Sequence, residues 1–127
     1  KAIEKIFPNL KGKLDGSGIR VPVLNGSLTD ITCVIENKIT KEELNKLFIN
    51  ASNDKLKSVL SYTNDPIVSN DIIGNTCCSV FDAPASIVSP DKKNVVLYTW
   101  YDNEFGYTKQ VIRLAKYISK VRRLHYY

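Results

Sequence analysis

The order of predicted helices and strands indicates an α+β domain whose sheet is mostly antiparallel or mixed. Apolar residues recur at helical spacing near both ends of the chain and again over residues 40–51. Two β-rich runs flank the dipeptide Asn25-Gly26, and two more flank the turn-forming residues 90–93. Helices mixed with hairpins in this way are typical of the α+β class.

Length and composition fit one folded soluble domain. The chain has 127 residues, of which 43% are hydrophobic and 24% charged. No apolar run approaches the about 20 residues that span a bilayer, so we expect no membrane partner. Three cysteines without a CxxC pair, and a start too charged for a signal peptide, favour a reduced, cytoplasmic protein. The absence of methionine, even at position 1, suggests a piece of something longer or a processed product.

The net charge of +5 resides at the C-terminal end. Residues 1–104 carry 12 basic and 13 acidic side chains, whereas residues 105–127 carry no acid. The basic residues of that end are Lys109, Arg113, Lys116, Lys120, Arg122 and Arg123. A basic helix leaves open a small binding module for nucleic acid or a protein partner, although a solvated polar face explains the same charges.

The first third of the chain predicts a helix and a hairpin. Residues 2–10 have helical periodicity, and Pro8 ends that helix early. Strands are predicted at 19–24 and 27–36, joined by a turn at Asn25-Gly26. In the second strand Cys33 shares one face with Ile31 and Ile35 and is interpreted as a buried core thiol.

A second helix begins at Thr40, where Thr40 and Glu43 fit a capping box. A short helix is expected at 55–60, and residues 61–83 predict short strands with ordered loops. Strands at 84–89 and 94–101 form a further hairpin. The apolar stripe of the second helix is Leu44, Leu47, Phe48 and Ala51.

The last 20 residues predict the clearest helix, with a stripe of Val111, Leu114, Ile118 and Val121 that continues to Leu124 or His125. The one histidine, His125, lies three residues from the C-terminus and is too poorly held to serve as a catalytic base. Cys77 and Cys78 are adjacent, but without a second Cys/His pair they predict no metal site. Arg20, after the small residues of DGSG, could approach an anion, although a solvated strand arginine is the plainer interpretation.

Three collinear blocks resemble the family of phosphorylating glyceraldehyde-3-phosphate dehydrogenases. They are LKGKLDGSGIRVPVLNGSLTDITCVIE at 10–36, SYTNDPIVSNDIIGNTCCSVFDA at 61–83 and WYDNEFGYTKQVIRLAKYI at 100–118. The erythrose-4-phosphate dehydrogenases share much of this pattern and stay open as an alternative. The resemblance implies a truncated α+β domain of this family's C-terminal type, with helices on one face of the sheet.

The resemblance also implies two regions and a parent activity. Residues 1–104 would be the C-terminal part of a catalytic domain, and residues 105–127 a helix that docks on a Rossmann domain absent from this chain. The parent would use NAD and inorganic phosphate to convert glyceraldehyde 3-phosphate to 1,3-bisphosphoglycerate in glycolysis, as a cytoplasmic homotetramer. Because the family's catalytic cysteine and histidine are not in this chain, the fragment alone is expected to be inactive. No specific nucleic acid is expected as a partner.

The resemblance assigns three site residues. Arg20 matches the arginine that binds substrate phosphate or inorganic phosphate. Asn103 matches the asparagine that hydrogen-bonds the nicotinamide carboxamide, and Tyr107 a tyrosine behind it near the nicotinamide. None of the three would be a catalytic residue, and no metal is implied.

Overall fold

A computed structural model describes residues 2–121 and contains three α-helices and five strands within that part of the chain. Two 3-10 turns, Pro8–Leu10 and Ser69–Ile72, lie between them. In chain order the elements are α1 Ala2–Ile6, β1 Ser27–Val34, α2 Lys41–Asn53, β2 Leu60–Thr63, β3 Ser79–Asp82, β4 Ile87–Val88, β5 Asn94–Tyr101 and α3 Phe105–Ile118.

The five strands form one mixed sheet, which confirms the predicted α+β class. The strand order is β1-β5-β3-β2, and β4 also pairs with β5. Strand β5 is central because β1 pairs antiparallel along its whole length, from Ser27 opposite Tyr101 to Val34 opposite Asn94. Strands β3 and β4 pair antiparallel with β5, whereas β2 pairs parallel with β3.

Helix α2 packs on one face of this sheet and forms the core. Leu44, Leu60, Phe81 and Ala83 are buried together. The ring of Phe48 stacks on that of Phe81 with 3.8 Å between the centroids. Of the predicted stripe, Leu44 is buried and Phe48 and Ala51 pack against the core, but Leu47 is 59% exposed. The helix turns that side chain away from the sheet.

The capping box that begins α2 is confirmed. Thr40 Oγ1 accepts a hydrogen bond from the Glu43 amide at 3.2 Å, and Glu43 Oε2 accepts one from the Thr40 amide at 2.8 Å. Both bonds satisfy amides that have no partner inside the helix. They also hold the pKa of Glu43 below its usual range.

The hairpin predicted at Asn25-Gly26 is wrong. Residues 19–24 are exposed and irregular, and β1 pairs with β5 instead of with them. Pro22 lacks an amide donor for a ladder. Gly26 has φ +88° and lies against Ser69, whose carbonyl oxygen would be 2.6 Å from a Cβ at this position. The Asn-Gly pair thus fixes the approach to β1 by contact with a distant loop.

Several predicted boundaries differ from the structure. The first helix ends at Ile6, before Pro8, as the missing proline amide favours. The helix expected at 55–60 is absent: residues 55–59 form turns and a bridge, and Leu60 begins β2. The strand predicted at 84–89 is reduced to Ile87–Val88 by the turn at 83–85. The strand at 94–101 and the short elements within 61–83 are confirmed.

Cys33 is half-buried, so its interpretation as a buried core thiol needs correction. It faces the same side as Ile31, which is 41% exposed. Within residues 2–121, β1 has a neighbouring strand on one side only, and α2 covers the sheet nearer β2 and β3. Alternate side chains of β1 therefore share a face of the sheet, as predicted, but within residues 2–121 no helix covers that face at β1.

The terminal helix α3 is confirmed over Phe105–Ile118. The prediction extends to residue 127, but residues 122–127 lie outside the described part of the chain. His125 and the basic residues Arg122 and Arg123 are among them. Every member of the predicted stripe is exposed: Val111 45%, Leu114 58%, Ile118 69% and Val121 61%. Over residues 2–121, each helix is too short or too polar to cross a bilayer.

Candidate functional site

A buried carboxylate, Asp102, joins the end of β5 to the start of α3. Only 1% of its surface is exposed. Its Oδ1 accepts hydrogen bonds from the amides of Glu104 and Phe105, both at 2.8 Å. Its Oδ2 accepts from Asn25 Nδ2 at 2.9 Å and from the Gly74 amide at 2.8 Å. One side chain thus connects the start of α3, the approach to β1 and the loop before β3.

The hydrogen bonds to Asp102 outweigh the cost of burying its charge. Burial raises the pKa of this carboxyl group. Hydrogen bonds from the amides of Phe105, Gly74 and Glu104 and from the side chain of Asn25 lower the pKa by more than burial raises it, so that it falls to about 2. Asp102 is therefore ionised at neutral pH and stabilises the first turn of α3 as a negative charge at a helix N-terminus.

Asn103 follows the buried carboxylate and is exposed at the same corner. Its Oδ1 accepts a hydrogen bond from Ser27 Oγ at 2.9 Å. Within residues 2–121 its Nδ2 makes no hydrogen bond, so the amide nitrogen is available to an external acceptor. The first residue of β1 thus orients a side chain 76 positions away in the sequence.

Tyr107 stands on the first turn of α3, and 73% of its surface is exposed. Asn103 and Tyr107 are four positions apart at the N-terminal end of one helix. The structure therefore brings these two predicted site residues to one region of the surface.

Arg20 lies in the exposed irregular segment that leads to Asn25. No hydrogen bond within the described residues involves Arg20, so the structure does not join it to Asn103 or Tyr107. The five Cα-to-Cα steps from Arg20 to the anchored Asn25 span at most about 18 Å when extended. Arg20 is thus tethered to the same corner of the molecule but not fixed there.

The first half of α3 is packed closely on the rest of the molecule. Gly106 is buried, and a Cβ at this position would lie 2.9 Å from the carbonyl oxygen of Cys77. One turn later Gln110 Nε2 donates to the Ser58 carbonyl at 3.2 Å, and Arg113 Nη1 donates to the same oxygen at 3.4 Å. These contacts fix the direction of the helix that carries Tyr107.

Cys77 and Cys78 are half-buried beneath α3. Burial raises the pKa of both thiols; the neighbouring Cys78 raises that of Cys77 further, while the Arg113 guanidinium opposes the shift. Both groups are therefore thiols at neutral pH and poor nucleophiles. In the described part of the chain no group of three His, Cys, Asp or Glu side chains is arranged to hold a metal ion.

Sequence reasoning missed Asp102 and Ser27. An aspartate shortly before a helical run is a recognisable N-terminal signal, so the role of Asp102 as a cap could have been predicted. Its bond to Asn25 and the bond from Ser27 to Asn103 join residues 77 and 76 positions apart and have no local signal.

The mixed sheet, the helix on its face and the carboxylate-capped α3 together describe an α+β domain. A family model for the glyceraldehyde 3-phosphate dehydrogenase C-terminal domain matches residues 1–103. The chain therefore belongs to the glyceraldehyde-3-phosphate dehydrogenase family, which confirms the resemblance of the three sequence blocks.

Similar proteins carry the same name. The glyceraldehyde-3-phosphate dehydrogenase of Neurospora crassa is 46% identical over 121 residues, which are 95% of this chain and 36% of the relative. Glyceraldehyde-3-phosphate dehydrogenase 2 of Mucor circinelloides is also 46% identical over 121 residues, with the same shares of each chain. Glyceraldehyde-3-phosphate dehydrogenase 1 of Saccharomyces cerevisiae is 43% identical over 121 residues, 94% of this chain and 36% of the relative.

The chain thus spans about 36% of the length of these relatives. Their names favour neither of the two alternatives, a basic binding module or an erythrose-4-phosphate dehydrogenase.

Proposed function

We propose that this chain is the C-terminal part of an NAD-dependent, phosphorylating dehydrogenase subunit. The complete subunit would oxidise glyceraldehyde 3-phosphate and join inorganic phosphate to the product, giving 1,3-bisphosphoglycerate in glycolysis. Family membership and identities of 43–46% along nearly the whole chain support this reaction class. The observation that carries the proposal is the hydrogen-bonded but outward-facing Asn103 at the start of α3.

The residues at this corner fit a nicotinamide ring. Asn103 offers an exposed amide that can donate to and accept from a carboxamide. Tyr107, on the first turn of α3, would limit where the ring can sit. Bound NAD would accept the hydride from the substrate, while these residues only hold and orient its ring.

Arg20 would bind the substrate phosphate or inorganic phosphate. A guanidinium group donates two parallel hydrogen bonds to phosphate oxygens and keeps its charge at neutral pH. Because it is exposed and makes no hydrogen bond within residues 2–121, it has no internal bond to break before it binds an anion. The nucleophilic cysteine and its histidine partner would come from the part of the subunit outside this chain.

The remaining features belong to the assembly of the subunit. Residues 1–104 would complete the catalytic domain, and residues 105–127 would dock on the nucleotide-binding domain through the exposed stripe of α3. We propose a homotetramer in the cytoplasm as the working form. The chain by itself would produce no NADH above the blank at any concentration, and measurable turnover would contradict this proposal.

Substitution of Arg20 in the full-length subunit tests the phosphate assignment. Arg20→Ala is expected to raise KM for inorganic phosphate or glyceraldehyde 3-phosphate by about 10- to 100-fold, because charge-assisted hydrogen bonds are lost. The matched control is Lys13→Ala, which removes another exposed positive charge from the same irregular segment. Unchanged KM values for both anions in Arg20→Ala would refute the assignment.

A further inference from the structure

Asn25, just before β1, and Ser27, its first residue, hold the two residues that directly follow β5. Asn25 donates to the carboxylate of Asp102, and Ser27 donates to the amide oxygen of Asn103. Ser27 is half-buried and stands opposite Tyr101 in the antiparallel ladder. The hydroxyl that contacts Asn103 is thus fixed by the register of the sheet.

The contact matters because Asn103 is exposed. An exposed asparagine without a partner samples several rotamers, and a ligand that needs one of them must then bear the cost of ordering it. In residues 2–121, Ser27 is the one group that hydrogen-bonds the Asn103 side chain, and it leaves the amide nitrogen free to donate.

We propose that Ser27 is a positioning residue of the nicotinamide site: its hydroxyl preorganises Asn103 for the carboxamide of NAD. The inference rests on the proposed function of Asn103 and adds a residue that does not itself touch the cofactor. Support of this kind is what keeps a binding side chain in its productive geometry.

The test uses the full-length subunit and a pair of β-branched variants. Ser27→Thr keeps the hydroxyl, whereas Ser27→Val has nearly the same shape without it, and both suit a strand. The dissociation constant of NAD, measured by calorimetric titration, is expected to rise about five-fold in Ser27→Val, the effect of one lost hydrogen bond, and to stay within about two-fold in Ser27→Thr. KM for inorganic phosphate is expected to stay unchanged in both.

Two controls separate positioning from a general effect on the strand. Thr29→Val, two residues along the same face of β1, removes an exposed hydroxyl that makes no side-chain hydrogen bond within the described residues, and is expected to leave NAD affinity unchanged. In an Asn103→Ala background, Ser27→Val is expected to have no further effect on NAD affinity, because its target is gone.

The outcomes distinguish this inference from the proposal beneath it. If Asn103→Ala leaves NAD affinity unchanged, the nicotinamide assignment itself fails. If Asn103→Ala weakens NAD binding but Ser27→Val does not, or weakens it equally with and without Asn103, the positioning role of Ser27 is refuted. A loss in Ser27→Thr as large as in Ser27→Val would likewise overturn the role of the hydroxyl.

Discussion

At the scale of single residues, the main feature is that Asp102 serves structure while its neighbour faces solvent. The carboxylate is buried with four hydrogen-bond donors around it, and Asn103 beside it is exposed. Because the backbone between them is continuous, fixing the carboxylate also fixes the Cα of Asn103. The structural role and the proposed binding role are thus divided between adjacent side chains.

Replacing Asp102 by asparagine should loosen the start of α3. One carboxylate oxygen becomes an NH2 group, so the two buried donors that face it lose their acceptor. The expected loss in the free energy of unfolding is about 2–4 kcal/mol. Amide hydrogen exchange at Glu104 and Phe105 in the full-length subunit is expected to accelerate. Asp65→Asn, at an exposed carboxyl group, is the control and should leave exchange there unchanged.

The same carboxylate predicts a pH dependence. Its pKa is lowered from 3.8 to about 2 in the folded state, so the unfolded chain binds the proton more readily. The resulting stability is fully present well above pH 3.8 and is lost as the pH falls through that value toward 2. Between about pH 5 and pH 3 the wild-type subunit should lose more of its thermal stability than Asp102→Asn, as scanning calorimetry can measure. Equal losses would show that Asp102 does not carry this linkage.

At the scale of elements, the sequence correctly predicted those helices and turns whose contacts join residues close together in the chain. Thr40 and Glu43 are three positions apart and each side chain accepts from the other's amide, so the start of α2 followed from the sequence. Asn25-Gly26 has an equally strong local signal, yet the partners of this segment are Asp102 and Ser69. The hairpin prediction failed because distant contacts outweighed the local preference.

Ser27 shows the same limit at the candidate site. Family resemblance indicated Asn103 and Tyr107, and the structure brings both to the start of α3. The hydroxyl that orients Asn103 depends on the pairing of β1 with β5, which no local pattern specifies.

The close contact between α3 and the Cys77 loop gives a prediction for Gly106. Alanine favours a helix by up to about 1 kcal/mol over glycine. At Gly106, however, the new Cβ would lie 2.9 Å from the Cys77 carbonyl oxygen. We expect Gly106→Ala to lower the free energy of unfolding by about 1–3 kcal/mol, the range for overpacking. Gly18→Ala, where a Cβ meets nothing within 4 Å, should be close to neutral in the same denaturation assay. A stabilised Gly106→Ala variant would show that the helix does not sit this close.

At the scale of the whole molecule, the apolar face of α3 explains why this chain is proposed to work only within a longer subunit. Val111, Leu114 and Ile118 expose between 45% and 69% of their surface, and soluble proteins seldom leave such a row uncovered. The close packing and hydrogen bonds that hold α3 to the rest of the described chain leave this row uncovered. A nucleotide-binding domain against this face would bury the row.

Docking of α3 therefore predicts a position-dependent effect of charge in the full-length subunit. Leu114→Glu would bury an unpaired carboxylate at the domain interface and is expected to lower the thermal midpoint strongly or prevent soluble assembly. Lys116→Glu places the same charge roughly 200° around the helix, on an exposed side chain, and should have little effect. Calorimetry and size-exclusion chromatography of the two variants compare them directly. If both behave like the wild type, the row at Leu114 faces solvent in the complete subunit as well, and the exposed apolar face would need another explanation.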